Sequence, residues 1–181
     1  MSGRVVAVLC LLAAGALGLV AATQPWAQVE LADGRGLAVA GQDLAGGLAI
    51  LSLACVALAL VLPIAGVVWR FVLAGLAIVL GALMAVHASS AVGGIDAAVE
   101  AVVAEATGIA GAAQAAEITT RTAAPWPWLA VAAGVLAALV GVWVMITARR
   151  WPAKAQRAAR YERTGSGLAW DVMDDGEDPT R

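Results

Sequence analysis

Between Leu129 and Thr147 the chain runs about 19 residues without a charge. At about 1.5 Å rise per residue that is a helix of roughly 28 Å, close to the ~30 Å hydrocarbon core of a bilayer. Pro125-Trp126-Pro127-Trp128 precedes the run and Arg149-Arg150-Trp151-Pro152 follows it. Indole rings suit the membrane–water interface, and a pair of arginines stops translocation and marks the retained side. This stretch predicts both a membrane span and its direction.

The rest of the chain repeats the theme. Of 181 residues 62% are hydrophobic and 13% charged, more apolar surface than a soluble domain of this size can cover. The apolar residues fall into blocks of span length over 5–22, 44–62, 67–86 and 128–147. The first block follows the short basic start Met1–Arg4 and exceeds the usual signal-peptide core of about 7–15 residues, so it reads as a retained helix and not a cleaved leader. Pro63 and Gly66 make a tight turn between the second and third blocks. Two long loops remain, 23–43 and 87–127. In the first, Gly34, Gly36 and Gly41 interrupt any helix and Val29-Glu30-Leu31 reads as a short extended piece. In the second, Ile95, Val99, Val102, Ala106 and Ile109 recur at steps of four and three, while Asp96, Glu100 and Glu105 fall mainly off that stripe. This pattern predicts an amphipathic helix against the membrane surface or the tops of the spans, and Thr119-Thr120-Arg121-Thr122 reads as a polar linker. The fold expected is all-α: a four-helix transmembrane bundle over 1–147 with an outer amphipathic helix, and a cytoplasmic tail over 148–181.

Basic residues orient it. Arg4, Arg70, Arg149, Arg150, Lys154, Arg157, Arg160 and Arg163 collect on one side of four spans, against only Arg35 and Arg121 on the other. By the positive-inside rule both termini are cytoplasmic and both long loops face outward. Trp26, Trp69, Trp126, Trp128 and Trp151 fall at predicted interfaces and read as belt anchors. Arg70, next to the turn, is expected to snorkel to the headgroups.

No catalytic, cofactor-binding or metal-ligating set emerges. His87 is the lone histidine, and Ser89 and Ser90 beside it in sequence do not make an oriented triad. Cys10 and Cys55 lie inside apolar blocks and read as small hydrophobes. Span interiors hold no central acid or base, which disfavours transport by these four helices alone. The pairs Ala14 and Gly18, Ala77 and Gly81, and Ala137 and Gly141 have the spacing that lets helix backbones approach. Packing within one monomer is the expected use, and a homo-oligomer stays open. The expected partner is the lipid bilayer, with no cofactor and no nucleic acid.

The tail divides in two. Arg149, Arg150, Lys154, Arg157, Arg160 and Arg163 form a basic half suited to anionic lipid, and Gly165-Ser166-Gly167 is a hinge. Beyond it Trp170, Asp171, Val172, Met173, Asp174, Glu177 and Asp178 combine a large ring with acids that repel the inner leaflet. This half reads as a docking segment for a cytoplasmic partner.

Thr23-Gln24-Pro25-Trp26, Pro125-Trp126-Pro127-Trp128, Arg149-Arg150-Trp151-Pro152 and above all Trp170-Asp171-Val172-Met173-Asp174-Asp175-Gly176-Glu177-Asp178-Pro179-Thr180 resemble the bacterial Trp biosynthesis-associated membrane protein family. The family pattern in the tail is Trp-Asp, two apolar residues, Asp, a variable residue, then Gly-Glu-Asp-Pro-Thr. The resemblance implies a small multi-pass protein of the bacterial inner membrane, encoded among tryptophan-biosynthesis genes, with no catalytic residues to carry over. It points to a tryptophan-pathway enzyme, or a membrane protein, as partner of a non-enzymatic chain. The rival expectations are a carrier or exporter of tryptophan- or indole-type aromatics and a structural envelope or division component.

Overall fold

Three helices are long and apolar enough to cross a membrane, Gly3–Thr23, Val67–Val92 and Trp126–Arg150, and a shorter apolar helix covers Leu48–Val61. The computed structural model describes residues 3–151. Lys154, Arg157, Arg160, Arg163 and the segment Trp170, Asp171, Val172, Met173, Asp174, Glu177 and Asp178 lie outside the described residues.

In chain order the elements are α1 (Gly3–Thr23), β1 (Pro25–Leu31), β2 (Gly36–Ala40), the short α2 (Gly41–Leu44), α3 (Leu48–Val61), α4 (Val67–Val92), α5 (Ile95–Thr107), the short α6 (Gln114–Glu117), β3 (Ile118–Ala123) and α7 (Trp126–Thr147). Their boundaries follow local chemistry. Pro25 disfavours helical backbone in the residue before it, and α1 stops at Thr23. Gly46 and Gly47 delay α3, which therefore lacks the first turn of the 44–62 block and reaches only about 21 Å at 1.5 Å per residue. Conversely α4 runs six residues past the expected 86. The hydroxyls of Ser89 and Ser90 donate to the carbonyls of Val86 and His87 (3.0 Å each). Polar side chains that bond back to their own helix do not end it. Pro127 sits in the first turn of α7, where its missing N–H is no loss.

The apolar helices meet along seams of small residues. On α4 and α7 the backbones touch: a Cβ on Gly81 would lie 2.5 Å from the Gly134 carbonyl, and one on Gly134 would lie 2.6 Å from the Gly81 carbonyl. Farther along, a Cβ on Gly141 would lie 2.8 Å from the Ala74 carbonyl. Ala77 and Ala137 are buried in the same seam, and Ala14 and Gly18 are buried on α1. The small-residue pairs thus serve packing inside one chain, by close backbone approach and dispersion. On the opposite faces, apolar side chains such as Ile50, Leu139 and Ile146 are exposed, the pattern of helices that meet lipid.

The all-α expectation fails at one end. β1, β2 and β3 form an antiparallel sheet in the order β2-β1-β3, with Val29 opposite Leu37 on one side and Arg121 on the other. The segment read as a polar linker is β3. Ala27, Val29 and Leu31 alternate inward with Gln28 and Glu30 outward, the period of a half-buried strand. The amphipathic helix exists as α5, and its apolar face lies mainly on this sheet, a surface not expected from the sequence. Val99 and Val103 are buried against Ala27, Val29, Leu31 and Val39, while Ile95 also touches the helical core. Val102 of the expected stripe packs at the edge of this core, and Val103, which lies off the stripe, is buried within it. Thr107 ends α5 because Gly108, at φ 72°, turns the chain into the left-handed region; Ile109 lies beyond it. Burying each valine in this second core stabilises it by about 1.5–3 kcal/mol.

Candidate functional site

At the end of the helices opposite the sheet, Arg70 opens the first turns of α4, where a free guanidinium beside a short turn would reach for water. It does not. Arg70 is only 3% exposed. Its Nε donates to the Ala65 carbonyl (3.1 Å), one Nη donates to the Trp151 carbonyl (3.3 Å), and its Cζ stands 5.6 Å from the Trp151 ring centroid. The expected snorkelling is thereby corrected. A buried cation needs acceptors, and here the Ala65 carbonyl in the turn before α4 and the Trp151 carbonyl just past the end of α7 supply them, with no carboxylate among the described residues at the site. Trp151 is 8% exposed, so its ring is clamped inside the protein instead of lying in a lipid belt. Next to it, Arg149 stacks its guanidinium 5.8 Å above the Phe71 ring. Arg149 and Arg150 are both exposed.

The sheet end is tethered by a second tryptophan. Trp26 is fully buried, and its indole N–H donates to the Ala21 carbonyl at 2.8 Å, satisfying one of the carbonyls left free at the end of α1. The register of β1 slips between Pro25 and Ala27, and such an irregularity re-aims a side chain. Trp26 and Ala27 are consequently both buried although they are neighbours in a strand. The ring fits because residue 41 is glycine: a Cβ there would lie 2.6 Å from its Cε2 and 2.9 Å from the Ala21 carbonyl. Trp26, expected as a lipid anchor, instead fastens the sheet to α1.

Charges at this end pair in solvent. Asp33 accepts from the Arg35 backbone N–H (2.9 Å) and from its Nε (2.6 Å), and Arg35 also reaches the Ala106 carbonyl at the end of α5 (3.3 Å). The Arg35 N–H, then its side chain, hold the Asp33 carboxyl below the usual carboxylate range. Arg121 bonds Asp96, tying β3 to α5. On the outer face of the sheet a hollow of about 440 Å³ is lined by Gln28, Glu30, Gly36, Ala38, Thr120 and Thr122, among others.

Of the remaining expected anchors, Trp69 and Trp128 expose their rings (64% each) at opposite ends of the helices, and Trp126 is half-buried against the helical core. Cys10 and Cys55 are free thiols, and no group of three metal-ligating side chains occurs among the described residues. The serines next to His87 bond backbone carbonyls instead of its ring. Two features were missed in the sequence: the Arg70–Trp151 clamp and the sheet with its hollow. The adjacent Trp69-Arg70 was a signal for the first, but the separation of 81 positions between Arg70 and Trp151 hides the contact.

A family model described as tryptophan-associated transmembrane protein matches residues 8–180. No curated protein and no solved structure matches the chain.

Proposed function

Because the chain belongs to the tryptophan-associated transmembrane protein family, we propose that it is a non-enzymatic, multi-pass protein of the bacterial inner membrane whose C-terminal tail holds a cytoplasmic partner, a tryptophan-pathway enzyme. In this reading all four apolar helices cross as a bundle, α3 included, with both termini cytoplasmic and the sheet outside. The excess of basic residues at the Arg70 end supports that direction. Trp69 and Trp128 face the two interfaces, and exposed Arg149 and Arg150 begin the run that Lys154, Arg157, Arg160 and Arg163 continue toward anionic lipid.

The observation that carries the reading is the clamp. With the Trp151 carbonyl and ring both held by Arg70, the chain leaves the helices from a fixed point. The 30 residues from Pro152 to Arg181 are then tethered at a defined place, which raises the effective concentration of any docking group they carry. Trp170 is the anchor of that group, with Asp171, Val172, Met173, Asp174, Glu177 and Asp178 around it.

Affinity capture of the full chain from native membranes tests this. Pathway enzymes are expected to be enriched, and Trp170→Ala should lower their recovery about five- to thirtyfold, the effect of losing one aromatic hot spot. Equal recovery of the same proteins by both forms would refute the docking role. Cysteines placed at Ser166 and Thr120 should label from opposite sides of the membrane; labelling of both from outside would refute the topology.

A further inference from the structure

Gly36 occupies a position that does not demand glycine. It opens β2, its backbone lies outside the left-handed region that Gly34 occupies at φ 82°, and a Cβ built on it meets nothing within 4 Å. A strand glycine lacks a side chain to pack and often marks a place where a ligand approaches closely. Here the absent side chain, with Ala38 beside it, keeps open the hollow of about 440 Å³ on the outer face of the sheet. The register sets two rows across that face, Ala38–Gln28–Thr122 and Gly36–Glu30–Thr120. Each row places a small residue on β2, a longer acceptor-bearing one on β1 and a hydroxyl on β3.

Glu30 alone is charged among the described residues that line the hollow. The neighbouring cations are already engaged. Arg35 holds Asp33 and the Ala106 carbonyl, and Arg121 turns to Asp96 on the other side of the sheet. Across the two segments 23–43 and 87–127, seven acids face these two arginines, so the field over the hollow favours a cation. An ammonium group brings three donors, and the Glu30 carboxylate, the Gln28 amide oxygen and the threonine hydroxyls are all acceptors. An anionic ligand would meet Glu30 with no free arginine to offset it. The small apolar floor suits a short hydrocarbon body.

We propose that this face of the sheet is a binding site for a small amphipathic organic cation with a primary ammonium head, its charge on Glu30 and its body over Gly36 and Ala38. The test uses the full chain in phosphatidylcholine nanodiscs, with 2-phenylethylamine as probe and neutral 2-phenylethanol as its matched control, followed by calorimetric titration at low salt. Saturable binding of the amine is expected, with the alcohol at least about tenfold weaker, because charge-assisted hydrogen bonds are lost. Glu30→Gln should weaken the amine about tenfold or more. Gly36→Leu should do the same by filling the hollow, with Tm unchanged. Glu105→Gln, an equal charge change on α5 away from the hollow, should weaken affinity by no more than about twofold, the share of one distant acid in the field. Absence of saturable binding, equal affinity for the alcohol, or undiminished affinity in either Glu30→Gln or Gly36→Leu would overturn the proposal.

Discussion

The two ends of the helices solve one problem, fastening a chain segment to a helix terminus, by opposite means. At the sheet end the fastener is Trp26, neutral and fully buried, giving one hydrogen bond to Ala21. The arginines there, Arg35 and Arg121, stay in solvent and pair with Asp33 and Asp96. At the other end the fastener is a charge. Arg70 is buried against carbonyls and the Trp151 ring and meets no carboxylate among the described residues. In water a guanidinium and a carboxylate gain little from each other, because screening and side-chain entropy offset the attraction. A desolvated guanidinium instead makes every acceptor matter, since losing it leaves buried polar groups unpaired. Tryptophan is common to both ends; what differs is whether the bond it shares is backed by hydrophobic area or by charge.

If that comparison is right, the largest loss should come from the apolar fastener. Trp26→Ala removes a fully buried indole and frees the Ala21 carbonyl, and truncations of this kind cost about 3–5 kcal/mol. In nanodiscs the variant should lower Tm and open β1 to proteolysis before the helices melt. An unchanged protease pattern would mean that the sheet is held mainly by α5 and its valines, Val99 and Val103.

Arg70→Gln should come next, at about 2–3 kcal/mol, from the charged hydrogen bonds and the ring contact together. The loss is local, so its clearest reading is trypsin cleavage after Arg149 and Arg150, which should quicken about 30- to 100-fold as Trp151 is released. Arg70→Lys keeps the charge but not the planar fork and should restore little of the protection. Full protection in the lysine variant would show that charge alone holds the clamp.

The smallest effect belongs to the exposed pair. Asp33 has its carboxyl lowered by the Arg35 N–H and guanidinium, so its folded-state value is below its unfolded one. Such a group contributes stability that is present above the ordinary carboxylate range and is lost as pH falls through the lowered value. Exchange protection of the Arg35 amide should therefore hold at neutral pH and fade only on strong acidification, with Asp33→Asn flattening the profile. Fading at mildly acidic pH would assign the effect to another group.

Legibility in the sequence tracked the range of the interaction. The apolar runs of α1, α4 and α7 could be read directly, because a span needs only length and an absence of charge. α5 was legible as an amphipathic helix, but not the surface it covers. Its stripe was drawn through Ile95, Val99, Val102, Ala106 and Ile109; the sheet buries Val99, with Ile95 and Val102 packed beside it, and adds Val103, which lay off that stripe. β3 was not legible at all. Ile118 to Ala123 shows one partly buried residue and five exposed ones, so no alternation marks it, and its partner β1 lies about 90 residues earlier. Nothing local in the sequence singles out Gly36 or sets Glu30 beside Thr120.

What the sequence determined by itself is a membrane protein with its apolar helices, since those properties are sums over contiguous residues, and its family, since the tail motif is contiguous too. The tertiary structure decided where Trp26, Arg70 and Trp151 go. Each had an interfacial position by sequence, and each is buried by a partner brought from elsewhere in the chain: Gly41 and the end of α1 for Trp26, the Trp151 carbonyl for Arg70, and the Arg70 guanidinium for Trp151. An amphipathic side chain satisfies its polar tip equally well at a headgroup or at a buried carbonyl. Only the packing of α1, α4 and α7 against one another, set by glycine and alanine seams, decides which of the two lies within reach.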